Sequence, residues 1–332
     1  MQSNLALRCA VAGLFALAAA PAFSAEPVTA PQVVEAIEGS FGVNKGQRRN
    51  HIKGTCAAGE FTGTAEAAKI SSSTLFSGKP VPVVARFSLA GGNPKLPDTA
   101  GNPRGMALEF RLPGGQLHHI TMLNVPIFGA ATPAAFLAAT IATRPDPATG
   151  RPDPEKIKAL RAAYPDTAPL AEYLSKNGPP KSYASASYYG IHTFKFVGAD
   201  KKVTLVRWQF VPRDGEARLS PEELKTVGAN FLEPALIERA KTGPILWDMV
   251  VSIGEPGDPE TNPTVAWPDT RRKFTAGTLA LKSASAQPGA ECEKINFDPL
   301  VMTDGIAPTN DPVLQFRSPA YAVSFAKRLS GQ

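Results

Sequence analysis

A tyrosine near the C-terminus lies between two arginines at helical spacing. In the segment DPVLQFRSPAYAVSFAKRL, Arg317 precedes Tyr321 by four residues and Arg328 follows it by seven. At about 100° per residue, the three side chains fall within a narrow arc of one helix face. A neighbouring cation favours the phenolate over the neutral phenol, and a metal ion favours it far more strongly. The alternative is an amphipathic terminal helix with a half-buried tyrosine and two solvated arginines.

The four histidines are the other side chains suited to acid–base chemistry or metal binding. His118 and His119 are adjacent in a predicted strand and point to opposite faces, which argues against a shared metal site. His51 follows two arginines in RRNHIKGT, and His192 lies in another predicted strand. Taken singly, each is more simply a structural histidine. The sequence contains no P-loop, GxGxxG, HExxH or GxSxG motif.

The elements that must position these residues are predicted to be strands and helices in an irregular order. Helix starts with capping residues are predicted at Thr132, Asp153 and Ser220, each followed by proline. The predicted strands are rich in β-branched and aromatic residues, and they include PVPVVARFSLA, GMALEFRLPGG, QLHHITMLNVPIF, IHTFKFVGADKKVTLVRWQFVP, ILWDMVVSIG and FTAGTLALKSA. Because strands and helices do not alternate regularly, we expect the α+β class, with an antiparallel β-barrel core and surrounding α-helices.

Length and composition bound the remaining possibilities. The chain has 332 residues, of which 43% are hydrophobic, and 28 glycines and 32 prolines indicate many turns. Neither a repeat nor a domain-sized linker is visible, so residues 26–332 are predicted to form a single domain. Basic clusters such as RRK at residues 271–273 are short and lack interleaved aromatic residues, which argues against a nucleic-acid partner.

The first residues have the pattern of a secretory signal peptide. MQSNLALRCAVAGLFALAAAPAFSAEP has one basic residue, then an apolar run that Pro21 interrupts, then small residues. The run is too short for a membrane anchor, so residues 1–25 are predicted to be cleaved near Ser24 or Ala25 and the protein to be exported to the periplasm. Cys56 and Cys292 would remain, and the sequence leaves open whether they form a disulfide.

Seven segments, in their order along the chain, resemble the catalase superfamily, particularly its small exported catalase-related peroxidase branch. They run from about residue 30 to the C-terminus, and their ordered combination is far more specific than any one of them. The segments are RRNHIKGTCAAGEF, VVARFSLAGG, NPRGMALEF, MLNVPIF, YYGIHTFKFV, INFDPLVMTDGIAP and DPVLQFRSPAYAVSFAKR.

The resemblance implies a haem b cofactor (iron protoporphyrin IX) and a role for each matching residue around it. Tyr321 matches the proximal ligand of the iron, and Arg317 matches the arginine that keeps this ligand a phenolate. Asp311 and His192 match a relay from a carboxylate through a histidine to that arginine, although Asp311 is also a plausible N-cap of the terminal helix. The arginines that match those holding the haem propionates are Arg48, Arg86 and Arg328.

On the opposite, distal side the resemblance implies a catalytic histidine. His51 matches this base, Ser88 matches the serine that hydrogen-bonds to it, and Phe128 and Phe136 match distal aromatic residues. His51 would take a proton from the bound peroxide and return it to the departing oxygen, leaving a ferryl haem and water. An unperturbed imidazole has a pKa near neutrality, as a general base requires.

One position departs from the full-length catalases. These carry a distal asparagine in a segment ending NNxP[IV]F, and alignment of MLNVPIF on Pro126 and Phe128 puts Leu123 at that position. Asn124, next along the predicted strand, is expected to face away. Leucine cannot hydrogen-bond to peroxide, so reduction by a separate donor is favoured over dismutation.

The predicted function is therefore a haem-dependent peroxidase that reduces hydrogen peroxide or organic hydroperoxides with a small electron donor. The alternatives are a true catalase, a haem lyase or isomerase acting on fatty-acid hydroperoxides, and a haem-binding carrier. The expected partners are the peroxide and the donor, without a nucleic acid or a membrane span after removal of the signal. A homo-oligomer is compatible with the sequence.

Overall fold

The computed structural model describes residues 27–332. The predicted signal peptide, residues 1–25, lies outside the described residues. None of the helices between residues 27 and 332 is both long enough and apolar enough to cross a membrane. The strands of this part of the chain are β1 (Gly54–Gly63), β2 (Pro80–Leu89), β3 (Arg104–Arg111), β4 (Leu117–Leu123), β5 (Tyr188–Tyr189), β6 (Phe194–Val197), β7 (Val203–Pro212), β8 (Ile245–Ile253), β9 (Lys273–Ala286) and β10 (Ile306–Pro308).

The strands form an antiparallel barrel. The order β7-β5-β4-β3-β2-β1-β9-β8 returns to β7, because β8 also pairs with β7, and this closes a ring of eight strands. The strands β6 and β10 extend from β7 beside β5. Closure leaves the ring without an edge strand that could pair with another chain. The predicted antiparallel barrel with surrounding helices is confirmed.

Aromatic side chains fill the interior of the barrel. The rings of Phe61 and Phe110 meet edge to face with their centroids 5.4 Å apart, and Phe87 lies 5.9 Å from Trp247. All four side chains are buried in one continuous hydrophobic cluster. The interior of the barrel is therefore a packed core.

Helices surround the barrel, and the predicted capping residues begin several of them. The helices of the described chain are α1 (Ala30–Phe41), α2 (Ala65–Ala68), α3 (Pro133–Ala142), α4 (Pro154–Ala163), α5 (Ala168–Lys176), α6 (Glu223–Thr226), α7 (Leu232–Lys241), α8 (Glu291–Lys294) and α9 (Pro312–Leu329). Thr132 and Asp153 cap α3 and α4 as predicted. Ser220 and Glu223 exchange the two hydrogen bonds of a capping box, but α6 is a single turn that begins only at Glu223.

His192 does not lie in a strand, contrary to the prediction from sequence. It precedes β6, and Ile191 before it has a φ of 67°. The His192 amide donates to the carbonyl of Gly190 at 2.7 Å, which makes a tight turn instead of a ladder hydrogen bond. This turn separates His192 from β6, in which the alternation of buried and half-buried residues begins at Phe194.

Candidate active site

A cavity lies between the outer face of the barrel and the helices α1, α3 and α9. Its volume is about 250 Å³, against about 10 Å³ for a second cavity beside Asn124. Val33, Val34 and Ile37 of α1 form part of its apolar wall. The sequence-predicted residues that line it are Arg48, His51, Arg86, Ser88, Phe128, Phe136, Arg317, Tyr321 and Arg328. Two others, His192 and Asp311, are buried behind it.

The register of three strands sets the barrel side of the cavity. Ser88 of β2 lies opposite Gly105 of β3, which lies opposite Leu123 of β4. The next outward-facing row is Arg86, Ala107 and Thr121. Because side chains alternate across a strand, Phe87, which lies between these rows on β2, points into the barrel.

Helix α9 provides the opposite side with the spacing predicted from sequence. Arg317, Tyr321 and Arg328 all line the cavity, as expected for residues four and seven positions apart on one helix face. Nη2 of Arg317 donates to the hydroxyl of Tyr321 at 2.9 Å. The guanidinium is therefore placed to stabilise negative charge on this oxygen.

A threonine also holds Arg317. Nη2 of Arg317 donates to Oγ1 of Thr121 at 2.6 Å. Sequence reasoning missed Thr121, because the contact joins β4 to α9 across 196 residues. Thr121 lies two residues before Leu123 in a strand, so the two share one face. This shared face is the one sequence signal that could have identified Thr121 as a cavity residue.

The carboxylate of Asp311 caps α9 and also contacts His192, which is one of the two contacts expected of the relay. Oδ1 caps α9 by accepting from the amides of Val313 and Leu314, and Oδ2 lies 2.7 Å from Nδ1 of His192. Burial lowers the pKa of His192, which the hydrogen bond to Asp311 opposes. Among the described residues, no hydrogen bond joins His192 to Arg317. The interaction between these two residues is electrostatic: the positive charge of Arg317 lowers the pKa of His192.

His51 and Ser88 form the pair expected on the other side. Nδ1 of His51 lies 2.9 Å from Oγ of Ser88. A proton on Nδ1 would be donated to Ser88 and would leave the lone pair of Nε2 for a substrate. Gly105 makes this pair possible, since a Cβ atom there would lie 2.8 Å from Oγ of Ser88 and 3.2 Å from the His51 ring.

The backbone of His51 is held in an unusual conformation. Its φ is 54°, in the left-handed region that few non-glycine residues adopt. Oδ1 of Asn50 accepts from the amides of His51 at 2.9 Å and of Gly91 at 2.8 Å. A strained conformation fixed by such contacts is typical of functional sites.

The pKa of His51 is far from the value expected from sequence. Burial, followed by the positive charges of three arginines, lowers this pKa to about 3. Those arginines are Arg86, Arg317 and Arg48. The expectation of an unperturbed imidazole is therefore wrong for this structure. His51 is neutral at physiological pH and is available as a proton acceptor, but it is a weak base until anionic groups offset the charges around it.

Three arginines converge at one end of the cavity. Nε of Arg86 donates to Oε1 of Gln287 at 2.7 Å, and its Nη2 donates to the carbonyl of His51 at 2.6 Å. Arg48 and Arg328 donate to main-chain carbonyls between residues 292 and 295. Within residues 27–332, none of the three donates to a carboxylate.

Their mutual proximity is electrostatically unfavourable. Burial, followed by the charges of Arg86 and Arg328, lowers the pKa of Arg48 to about 8. Burial also lowers the pKa of Arg86 to about 10. Arg86 is buried and the other two are half-buried, and cations in such places are costly without anionic partners. This end of the cavity is therefore suited to a ligand that carries carboxylates.

The remaining wall is apolar and aromatic. Phe128 and Phe136 stack with their centroids 5.7 Å apart. Leu123 lines the cavity, whereas Asn124 accepts from the Arg104 amide at 2.7 Å and lines the second, smaller cavity. The expectation that Leu123 faces the site and Asn124 faces away is confirmed.

The side chains that line the cavity restrict the kind of ligand that it can bind. A flat apolar ligand with carboxylates at one end would satisfy the arginines and the aromatic wall. In the described part of the chain, no group of three or more His, Cys, Asp or Glu side chains is arranged to hold a metal ion.

Comparison with known proteins gives the family. The family model described as Catalase matches residues 43–332. A catalase-related peroxidase of Synechococcus elongatus is 58% identical over 309 residues, which cover 93% of this chain and 91% of that protein. A catalase-related peroxidase of Mycolicibacterium paratuberculosis is 33% identical over 302 residues, with 91% and 95% covered.

Solved catalase structures share the fold. Catalase A from Saccharomyces cerevisiae superimposes with a TM-score of 0.79 at 24% identity, covering 86% of this chain and 62% of that chain. A fungal catalase gives the same TM-score at 22% identity and has 60% of its chain covered. The chain therefore belongs to the catalase family, in the branch of the catalase-related peroxidases, and is an oxidoreductase that acts on peroxide.

Proposed function

We propose that this protein is a haem b peroxidase that reduces hydrogen peroxide or organic hydroperoxides with a small-molecule electron donor. The observation that carries the proposal is the cavity with an Arg317–Tyr321 pair on one side and a His51–Ser88 pair on the other. The names of the two catalase-related peroxidases support the same reaction class.

The chain's residues are suited to hold haem b by its iron and by its propionates. Tyr321 would bind the iron, with Arg317 lowering the energy of its phenolate. The two propionates would bind to Arg48, Arg86 and Arg328. They would supply the carboxylate partners that these arginines do not have within the chain. When bound, the haem iron supplies the two-electron reduction of the peroxide bond.

His51 would move the proton that this reaction requires. Its Nε2 would accept a proton from one oxygen of the peroxide and deliver it to the departing oxygen, while Ser88 holds the ring. Propionates placed on Arg48 and Arg86 would offset two of the charges that lower the pKa of His51. Ligand binding would thus make His51 a stronger base at the site where it is needed.

Leu123 favours a peroxidase over a true catalase. Dismutation requires a second peroxide to be held as the reductant, and an amide on the distal side could hold it by hydrogen bonds. Leu123 supplies none, and the Asn124 amide is bound to the Arg104 backbone on the other face of the strand. A donor that binds elsewhere is then the better reductant.

The substitution Leu123→Asn tests this reasoning. We expect oxygen release from hydrogen peroxide to rise roughly five- to tenfold, the factor provided by one net hydrogen bond of about 1 kcal/mol. The measurement is the initial rate of oxygen evolution by haem-loaded protein without added donor. Leu123→Ile is the control, because it keeps the volume without adding an amide. Equal rates in all three proteins would mean that a different feature limits dismutation.

The setting of the reaction is also part of the proposal. The N-terminal pattern supports export to the periplasm with removal of residues 1–25. The disulfide between Cys56 and Cys292 supports an oxidising compartment. The proposed haem domain comprises residues 26–332, and a homo-oligomer remains compatible with it.

A further inference from the structure

Four consecutive main-chain carbonyls hold Arg48 and Arg328, two of the three arginines that converge at one end of the cavity. Nη2 of Arg48 donates to the carbonyls of Cys292 at 3.2 Å and Ile295 at 2.6 Å. Arg328 donates through Nη1 to the carbonyl of Glu293 at 2.9 Å and through Nη2 to that of Lys294 at 3.1 Å. These carbonyls belong to the end of α8, where a helix has no further amides to satisfy them.

The same four residues, which we call the carbonyl segment (292–295), are linked covalently to the barrel. Cys292 forms a disulfide with Cys56 of β1, with 5.6 Å between the Cα atoms. Cys56 lies directly opposite Arg86 in the β1–β2 ladder. The disulfide thus ties the segment that holds Arg48 and Arg328 to the strand pair that carries Arg86.

In the described chain, the carbonyl segment packs on Val84 of β2 through Cys292, but no hydrogen bond joins it to a barrel strand. Helix α8 has one turn, and Glu291 at its start forms an ion pair of 2.6 Å with Arg111 on the protein surface. Exposed ion pairs contribute little to positioning. Cys56 and Cys292 themselves are buried in a small cluster with Val84 and Phe297, separate from the core of the barrel. The covalent bond is therefore the strongest link between this segment and the barrel.

We propose that the Cys56–Cys292 disulfide positions the arginine cluster by holding the carbonyl segment, so that the protein retains haem tightly only when this disulfide is formed. The inference rests on the proposed function, because it concerns the propionate end of the haem site. Without the disulfide, the carbonyls are free to move away from Arg48 and Arg328. The arginines, which repel each other, then lose the groups that hold them side by side.

The test compares haem retention in the disulfide and dithiol forms of the wild-type chain. Haem-free protein is treated with dithiothreitol, which gives two electrons and two protons to the disulfide and becomes a cyclic disulfide itself. The reductant is removed without air, two thiols per chain are confirmed by titration, and haem is added. Transfer of haem to excess apomyoglobin then gives the dissociation rate. We expect dissociation to be about 10- to 100-fold faster from the dithiol form, the range seen when groups that orient a ligand-binding side chain are lost.

Two variants separate positioning from general stability. Cys56→Ser with Cys292→Ser removes the disulfide permanently, and circular dichroism monitors whether it folds. Glu291→Gln is the matched control, because it removes the surface ion pair at the start of α8 and leaves the disulfide. We expect unchanged haem dissociation from Glu291→Gln.

A double-mutant cycle combines Arg328→Gln with loss of the disulfide and measures haem dissociation in all four proteins. A disulfide that only stabilises the fold would not change the effect of Arg328→Gln. If the disulfide acts through the cluster, loss of Arg328 accelerates haem dissociation less in the dithiol form than in the disulfide form. The same acceleration in both forms, or equal dissociation rates from the two forms of the wild type, overturns the inference and leaves the proposed function standing. A disulfide-bonded wild type that takes up no haem overturns both.

Discussion

Tyr321→Phe is expected to abolish peroxidase activity and to change the absorption spectrum of the haem-loaded protein. The substitution removes a single oxygen atom, the one that lies 2.9 Å from Nη2 of Arg317. Under the proposed assignment, the iron would lose its anionic ligand and Arg317 would face an apolar ring. Loss of a group that only orients a ligand typically costs about 10- to 100-fold. We expect haem dissociation from Tyr321→Phe to accelerate by more than this. Absorption spectra and haem transfer to apomyoglobin measure both effects.

The control for this variant is Tyr164→Phe. Tyr164 lies at the C-terminal end of α4, outside the cavity. Its replacement by phenylalanine also removes one phenolic oxygen. Its spectrum and haem retention are expected to match those of the wild type. If Tyr321→Phe behaved like Tyr164→Phe, the proximal assignment would be wrong.

His51→Asn is expected to slow the reaction with peroxide while leaving haem bound. Asparagine tolerates the φ of 54° at this position better than most residues, so the backbone can keep its conformation. It cannot accept the proton that the imidazole would take. General acid–base catalysis contributes about 10²- to 10⁴-fold, and we expect a loss of this size in the rate of the first spectral change after mixing with peroxide.

Ser88→Ala gives a graded comparison for the same step. It leaves the imidazole in place and removes the oxygen 2.9 Å from Nδ1. The rate should fall less than in His51→Asn, because the base is present but less well oriented. A His51→Asn protein that reacts with peroxide at the wild-type rate would show that the proton acceptor is another group.

Patterns that are local in sequence predict the barrel and which residues share a face of a helix or strand. Capping residues with proline after them marked the starts of α3 and α4. The spacing of Arg317 and Tyr321 predicted a shared helix face, and their side chains are hydrogen-bonded. Alternation along β4 separated Leu123 from Asn124 correctly. Periodicity failed where backbone geometry changes abruptly, at the turn between Ile191 and His192.

The contacts that join distant segments could not be predicted. Thr121 meets Arg317 only because β4 and α9 face the same cavity, and neither residue carries a motif that links them. Asp311 caps α9 with one carboxylate oxygen and contacts His192 with the other, and no spacing rule anticipates both contacts. The pairing of Cys56 with Cys292 spans 236 residues. Its position beside the arginine cluster becomes visible only in three dimensions.

The electrostatics of the site also required the fold. An isolated histidine suggests a pKa near neutrality, but burial among arginines lowers the pKa of His51 to about 3. The magnitude depends on how many charges converge and on how little water reaches them. The sequence shows that a histidine stands at this position, whereas the direction of its pKa shift follows from the burial and the charges around it.

The most direct test of the peroxidase assignment follows dissolved oxygen and donor oxidation together. Purified, haem-loaded protein is mixed with hydrogen peroxide, with and without an oxidisable phenol. We expect rapid oxidation of the phenol and little oxygen release, as Leu123 in the distal wall implies. Vigorous oxygen release that the phenol does not suppress would identify a true catalase, and the absence of both signals would identify a lyase or a haem carrier; each of these results would contradict the proposed function.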